Sequence, residues 1–348
     1  MNIESTDSFS ESWIAVVTGG NKGIGLEVCR HLAGAGITVV LTARDAKRGT
    51  AAVEKLREAG LSDVIFHQLE ITDASSIVRL ADFLKTRFGK LDILVNNAAI
   101  RHGASGGVEH VQDPDDSSLT SEEKFSGMDM LQRLDWLSNA IVETYDDARE
   151  GLQTNYYGTK RVIEALLPLL QASSDGRIVN VSSGWGLLSL INNEELRQEL
   201  DDVEKLTEER LDEIINTFLN DLKAGKLEAH GWPVHCSAYK VSKVTLNAYT
   251  RILARRHPEL RINCAHPGYV REHRHDHTLG APDARGGCEQ LGEGGTTARR
   301  RADRRILRPW PGGAIRVTLV AYCPAGHGCR SALAPLSAVL RLPVISVQ

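Results

Sequence analysis

Tyr239 and Lys243 stand four residues apart in Tyr239-Lys240-Val241-Ser242-Lys243, far downstream of a glycine-rich stretch, Thr18-Gly19-Gly20-Asn21-Lys22-Gly23-Ile24-Gly25. The first pairing is suited to proton transfer. Residues four apart share one helix face, which puts the Lys243 ammonium near a phenol whose ordinary pKa is about 10. A nearby cation favours the phenolate, so Tyr239 is expected to act as a general acid toward a carbonyl oxygen while a reduced nicotinamide delivers hydride to the carbon. The glycines, spaced Gly19-x3-Gly23-x-Gly25, permit a tight turn and close approach of the backbone to a pyrophosphate at a helix N-terminus. Asn21, Lys22 and Ile24 lie within that turn. Lys22, and Arg44 beyond the next apolar run, put two cations where an adenosine ribose would lie, and Thr42 and Ala43 offer no carboxylate for a free 2'-hydroxyl. Phosphorylated cofactor, NADPH, is the expectation.

These residues need a scaffold of alternating strands and helices. Short β-branched runs predict strands at Ile14–Thr18, Thr38–Thr42, Val64–Gln68, Leu91–Asn96, Arg177–Val181 and Ile262–Ala265. Amphipathic stretches begin near Gly23, Ala46 and Ala74, with another from Lys160 to Leu170 and one from Ser237 that carries the Tyr/Lys pair. The fold class is therefore α/β, a doubly wound parallel sheet or Rossmann fold, with ligands at the carboxyl ends of the strands. Two segments exceed ordinary connections. The polar Arg101–Tyr145 reads as a substrate-covering loop, and 187–235 as a helical insert with the apolar stripe Leu211, Ile214, Ile215, Phe218, Leu219 and Leu222 behind an N-terminus at Thr207.

The 348 residues, 42% of them hydrophobic, suffice for one large core. The polar, acidic start lacks a basic leader, and no uncharged apolar run is long enough to span a membrane, so a cytoplasmic protein is expected. Six scattered cysteines lack paired spacing and fit free thiols in a reducing compartment. The net charge of −4 conceals two differently written segments: residues 271–348 hold 12 arginines against 6 acidic residues and no lysine, whereas the preceding chain is acidic. The run Arg299–Arg305 lacks the interleaved aromatics of a nucleic-acid surface, and His273, His275 and His277 lack cysteine or carboxylate partners, so neither nucleic acid nor metal is expected.

Thr-Gly-x3-Gly-x-Gly, Asn96-Asn97-Ala98-Ala99, Asn155, Ser183, Tyr239-x3-Lys243 and Pro267-Gly268 occur in an order that resembles the short-chain dehydrogenase/reductase family from about Trp13 to Val270. The long interval between Ser183 and Tyr239 resembles the carbonyl reductase-like branch that includes plant menthone, neomenthol and salutaridine reductases. That resemblance implies a monomer, because the insert covers the usual subunit-contact helices. It also implies roles for single residues. Ser183 would hold the substrate oxygen, Tyr239 would donate the proton, Lys243 would lower its pKa and hold the nicotinamide ribose, and Asn155 would fix a relay water. Asn97, Ala98, Glu70 and Ile71 would line the adenosine, and Pro267, Gly268 and Val270 would close the cofactor site.

The chain departs from the family at Ala99, where glycine is usual, and at Glu70, where aspartate is usual. After Val270 the family's Pro-Gly-x-Val-x-Thr gives way to Arg271-Glu272, and the resemblance ends. The expected organisation is a flexible 1–12, a reductase domain at 13–270 and an atypical, poorly ordered Arg-rich tail at 271–348, written like an altered reading frame of GC-rich DNA. The leading expectation is NADPH-dependent reduction of a ketone or aldehyde on a bulky apolar small molecule. The alternative is a catalytically impaired nucleotide-binding homologue with an altered C-terminus.

Overall fold

Four of the six parallel strands, β1 (Ile14–Val17), β2 (Thr38–Ala43), β4 (Ile93–Asn96) and β5 (Arg177–Val181), are apolar and buried almost throughout, the pattern of a sheet covered on both faces. With β3 (Val64–Gln68) and β6 (Arg261–His266) they form the order β3-β2-β1-β4-β5-β6 in a computed structural model that describes residues 12–101, 143–267, 318–322 and 332–335. Every pairing among the six is parallel. The order reverses between β1 and β4, the crevice where doubly wound sheets bind ligands. The described residues all fall in one compact unit, and residues 270–316 lie outside the described residues.

Local chemistry sets most helix boundaries. Helix α1 is Gly23–Gly34. Asp45 caps α2 (Ala46–Glu58) by accepting from Arg48 N at 2.9 Å, and Gly60, at φ +84°, follows its end. Asp73 caps α3 (Ala74–Phe88), which stops at the left-handed Gly89. Thr144 and Asp147 form a reciprocal capping box at the start of α4 (Tyr145–Leu152). That helix runs into a π-helical turn, Gln153–Gly158, and on into α5 (Thr159–Gln171).

The insert holds α6 (Glu194–Asp201) and α7 (Glu208–Lys223), the latter capped by Thr207 through Arg210 N at 3.2 Å. The apolar stripe is divided as a helix face requires: Leu211, Ile214, Ile215 and Phe218 are buried, with Leu219 and Leu222 packed beside them. Ion pairs pin the insert to the core. Lys160 of α5 reaches Glu208 at 2.9 Å and Asp212 at 3.6 Å, and Glu208 also pairs with Arg256 of α8 (Ser237–Arg256). Beneath them a buried polar chain crosses the sheet. Asn96 Nδ2 donates to Asn180 Oδ1 at 2.9 Å, and Asn180 Nδ2 donates to Thr250 Oγ1 at 2.9 Å.

Two further strands, β7 (Thr318–Tyr322) and β8 (Ala332–Pro335), extend the sheet antiparallel beyond β6. The sequence reading placed no strand after β6. These nine residues hold regular backbone pairing, because the open edge of β6 offers unpaired backbone groups to any extended segment. Most of the expected loop at Arg101–Tyr145, together with His273, His275, His277 and the arginine run, falls outside the described residues. Among the described residues no helix is long and apolar enough to cross a membrane, and no group of three metal-ligating side chains forms.

Candidate active site

β1 delivers the chain into the glycine turn, where Gly19 and Gly23 take φ of +64° and +53°, a region that side-chain-bearing residues enter at a cost. A Cβ on Gly25 would stand 2.4 Å from Gly19 O and 2.5 Å from Asn97 Nδ2, so only glycine fits. The turn is closed from β4. Thr18 Oγ1 accepts from Asn97 N and Ala98 N at 3.0 Å, and Asn97 Nδ2 donates to the carbonyls of Thr18 and Gly19 at 3.1 Å. No side chain caps α1, so its first amides lie open to an anion.

Lys22 and Arg44 are both exposed near this turn, and neither has an ion pair among the described residues. Asp45, the one carboxylate beside them, is committed to α2. A narrow, open, cationic cradle of this kind fits a phosphorylated dinucleotide. At the end of β3, Glu70 accepts from the amide and hydroxyl of Thr72 at 3.2 and 2.9 Å, while Ile71 is buried against Gly158 of the π-turn.

The second cluster gathers at the ends of β5 and β6. Ser183 follows β5, accepts from Trp185 N at 3.2 Å and lies close enough to the phenol of Tyr239 to hold its pKa down. Lys243 is 3% exposed, donates to the Val181 carbonyl at 2.8 Å and holds its Nζ 5.6 Å from the centre of the Tyr239 ring. Burial lowers the lysine to about 8. The structure thus brings Ser183, Tyr239 and Lys243 together.

Their electrostatics differ from the sequence expectation. Burial holds the Tyr239 phenol above its ordinary value, and the groups that oppose this are the nearby Ser183 hydroxyl and the charge of Arg101. The Lys243 ammonium is spent on Val181 O instead. Asn155 is likewise occupied: its Oδ1 accepts from Ile100 N, and its Nδ2 donates to Ile100 O at 2.8 Å and to Ser242 Oγ at 3.2 Å. It therefore ties the end of β4 to α8 from inside a π-turn, a local geometry that recurs at functional sites. Pro267 follows β6, whereas Gly268 and Val270 lie outside the described residues.

Other residues join the cluster without a signal strong enough to single them out from sequence. Trp185 meets Tyr239 edge-on at 5.9 Å, with Arg101 and Lys240 at 5.5 and 5.6 Å from its ring. His266, at the end of β6, has its pKa lowered by burial and lies beside Gly184. Thr18 stood inside the glycine motif but carries no chemistry until its hydroxyl is seen holding two amides.

Known proteins are similar to this chain. Residues 13–195 match the short chain dehydrogenase family. (+)-Neomenthol dehydrogenase of Arabidopsis thaliana is 48% identical over 260 residues, 74% of this chain and 82% of its own. Carbonyl reductase [NADPH] 1 of Homo sapiens is 39% identical over 269 residues, 74% of this chain and 82% of its own. The solved structure of salutaridine reductase from Papaver somniferum superposes with a TM-score of 0.66 at 45% identity, covering 74% of this chain and 86% of that one. On the family match over more than half its length and on relatives of this identity and coverage, the chain belongs to the short-chain dehydrogenase family and is an oxidoreductase.

Proposed function

We propose that this protein reduces a ketone or aldehyde on a bulky, mostly apolar small molecule to the alcohol, with NADPH as the reductant. The observation that carries the reading is the gathering of the Ser183 hydroxyl, the Tyr239 phenol and the buried Lys243 ammonium at the ends of β5 and β6. Two hydroxyls gathered in one cluster can both turn to one carbonyl oxygen: Ser183 would hold it as negative charge develops, and Tyr239 would give it a proton. Lys243 would supply positive charge under the phenol. Asn155 would hold the β4 end and the tyrosine's helix in register through Ile100 and Ser242.

The residues present fit the cofactor. The Gly19–Gly25 turn with Asn21 and Ile24 would take the pyrophosphate, Lys22 and Arg44 the 2'-phosphate, and Glu70, Ile71, Asn97 and Ala98 the adenosine side. When bound, the nicotinamide supplies the hydride. Human carbonyl reductase [NADPH] 1 and the neomenthol dehydrogenase, both similar to this chain, support the cofactor and the carbonyl–alcohol chemistry. Pinning of α7 across α5 and α8 supports a monomer, and the absence of a membrane-length helix among the described residues agrees with a cytoplasmic setting.

The test is loss of NADPH absorbance with a panel of menthone-like and aromatic ketones. Turnover by the wild type that Tyr239→Phe removes supports the reading. Cofactor binding without turnover of any carbonyl overturns it in favour of the impaired homologue.

A further inference from the structure

We infer that Glu143 is a positioning residue for Tyr239. Helix α8 enters through Cys236 at φ +47° and ψ +41°, the one non-glycine residue with positive φ among those described, and Cys236 supplies no side-chain cap. Such a backbone is costly for a residue with a side chain and persists only where its surroundings hold it. The cap comes instead from far away in the chain. Glu143 Oε2 accepts from Ser237 Oγ at 2.5 Å and from Ala238 N at 2.9 Å, the amide immediately before Tyr239.

Glu143 directly precedes the capping box of α4, and α4 continues through the π-turn that holds Asn155. This segment therefore grips α8 twice, at Ala238 through Glu143 just before the helical run and at Ser242 through Asn155 within it. Tyr239 lies between the two grips. Removing the outer one lets the first turn of α8 relax at Cys236, and the phenol loses its alignment with Ser183. Burial lifts the Glu143 carboxyl above its usual range, with Asp147 adding to the lift and the two α8 bonds opposing it, as a carboxyl enclosed against a helix end should behave.

The inference rests on Tyr239 as the proton donor, and the experiment keeps the two separable. Glu143→Ala, Glu143→Gln and Ser237→Ala are compared in the full chain by steady-state kinetics with NADPH and a turned-over ketone, and by ultraviolet titration of the Tyr239 phenol against Tyr239→Phe. Expected are a fall of about 10-fold in kcat for Glu143→Ala with KM for NADPH within about twofold, since misplaced reacting groups cost rate rather than binding. Glutamine still accepts both bonds, so Glu143→Gln should restore most of kcat, and Ser237→Ala, which keeps the Ala238 bond, should fall between. The phenol should titrate closer to 10 in Glu143→Ala and stay high in Glu143→Gln. An unchanged kcat and phenol titration in Glu143→Ala overturn the inference, as does an equal loss in the alanine and glutamine variants. If Glu143→Ala does not fold, Ser237→Ala and Glu143→Gln decide by the same two readouts. If the wild type turns over no ketone, the reductase reading fails and the titration alone decides the positioning role.

Discussion

The glycine turn and the tyrosine cluster are built in opposite ways. The turn is mostly backbone: three glycines, an uncapped helix end and two amides held by Thr18, nearly all encoded within one short stretch and closed by Asn97. The tyrosine cluster is mostly side chain, assembled from Arg101, Glu143, Asn155, Ser183, Tyr239 and Lys243, which are scattered over more than a third of the chain. A backbone site fails by steric intrusion. A side-chain site fails by misalignment or by a change of charge.

The sharpest way to break this contrast is Tyr239→Phe, expected to lower kcat by about 1,000-fold without loss of cofactor affinity, measured by turnover and by NADPH fluorescence titration. Gly25→Ala should do the reverse, because its Cβ meets Gly19 O and Asn97. We expect NADPH affinity to fall at least about 10-fold and stability by about 2 kcal/mol in denaturant melts, with kcat at saturating cofactor far less affected. The tyrosine end should also answer to pH. Lys243 is charged below its lowered pKa and neutral above it, so kcat should decline as pH rises through about 8, and Lys243→Arg should move that decline upward.

Smaller effects sharpen the division. Replacing both Lys22 and Arg44 by serine should cut the preference for NADPH over NADH by about 10-fold, read from the ratio of kcat/KM values, and leave Tyr239 chemistry alone. Glu208→Gln, which loosens the insert at Lys160 and Arg256, should cost about 1 kcal/mol of stability and leave both sites working.

What could be read from the sequence follows the same line. Val64–Gln68 and Arg177–Val181 are strands at their predicted ends, and α2, α3 and α8 begin at Ala46, Ala74 and Ser237, because period, capping residues and glycines act within a few residues. Thr207 likewise announced α7. The π-turn around Asn155 was not legible, since nothing local to Gln153–Gly158 foretells that Ile71, from beyond β3, packs against Gly158. Short α6, with only Leu200 buried, carries too little periodicity to stand out. The phenol's raised pKa was hidden for a different reason. Spacing brought Lys243 onto the right helix face, but spacing says nothing of burial or of Val181 O competing for the ammonium.

The antiparallel β7 and β8 bear on how this protein behaves when concentrated. A bare β6 would present its donors and acceptors to neighbouring molecules right beside the chemistry. With β7 bonded to it, the frontier among the described residues shifts outward to a four-residue ribbon that ends in Pro335, opposite Thr318. So short a border, lacking one amide hydrogen, is a poor template for further strand addition.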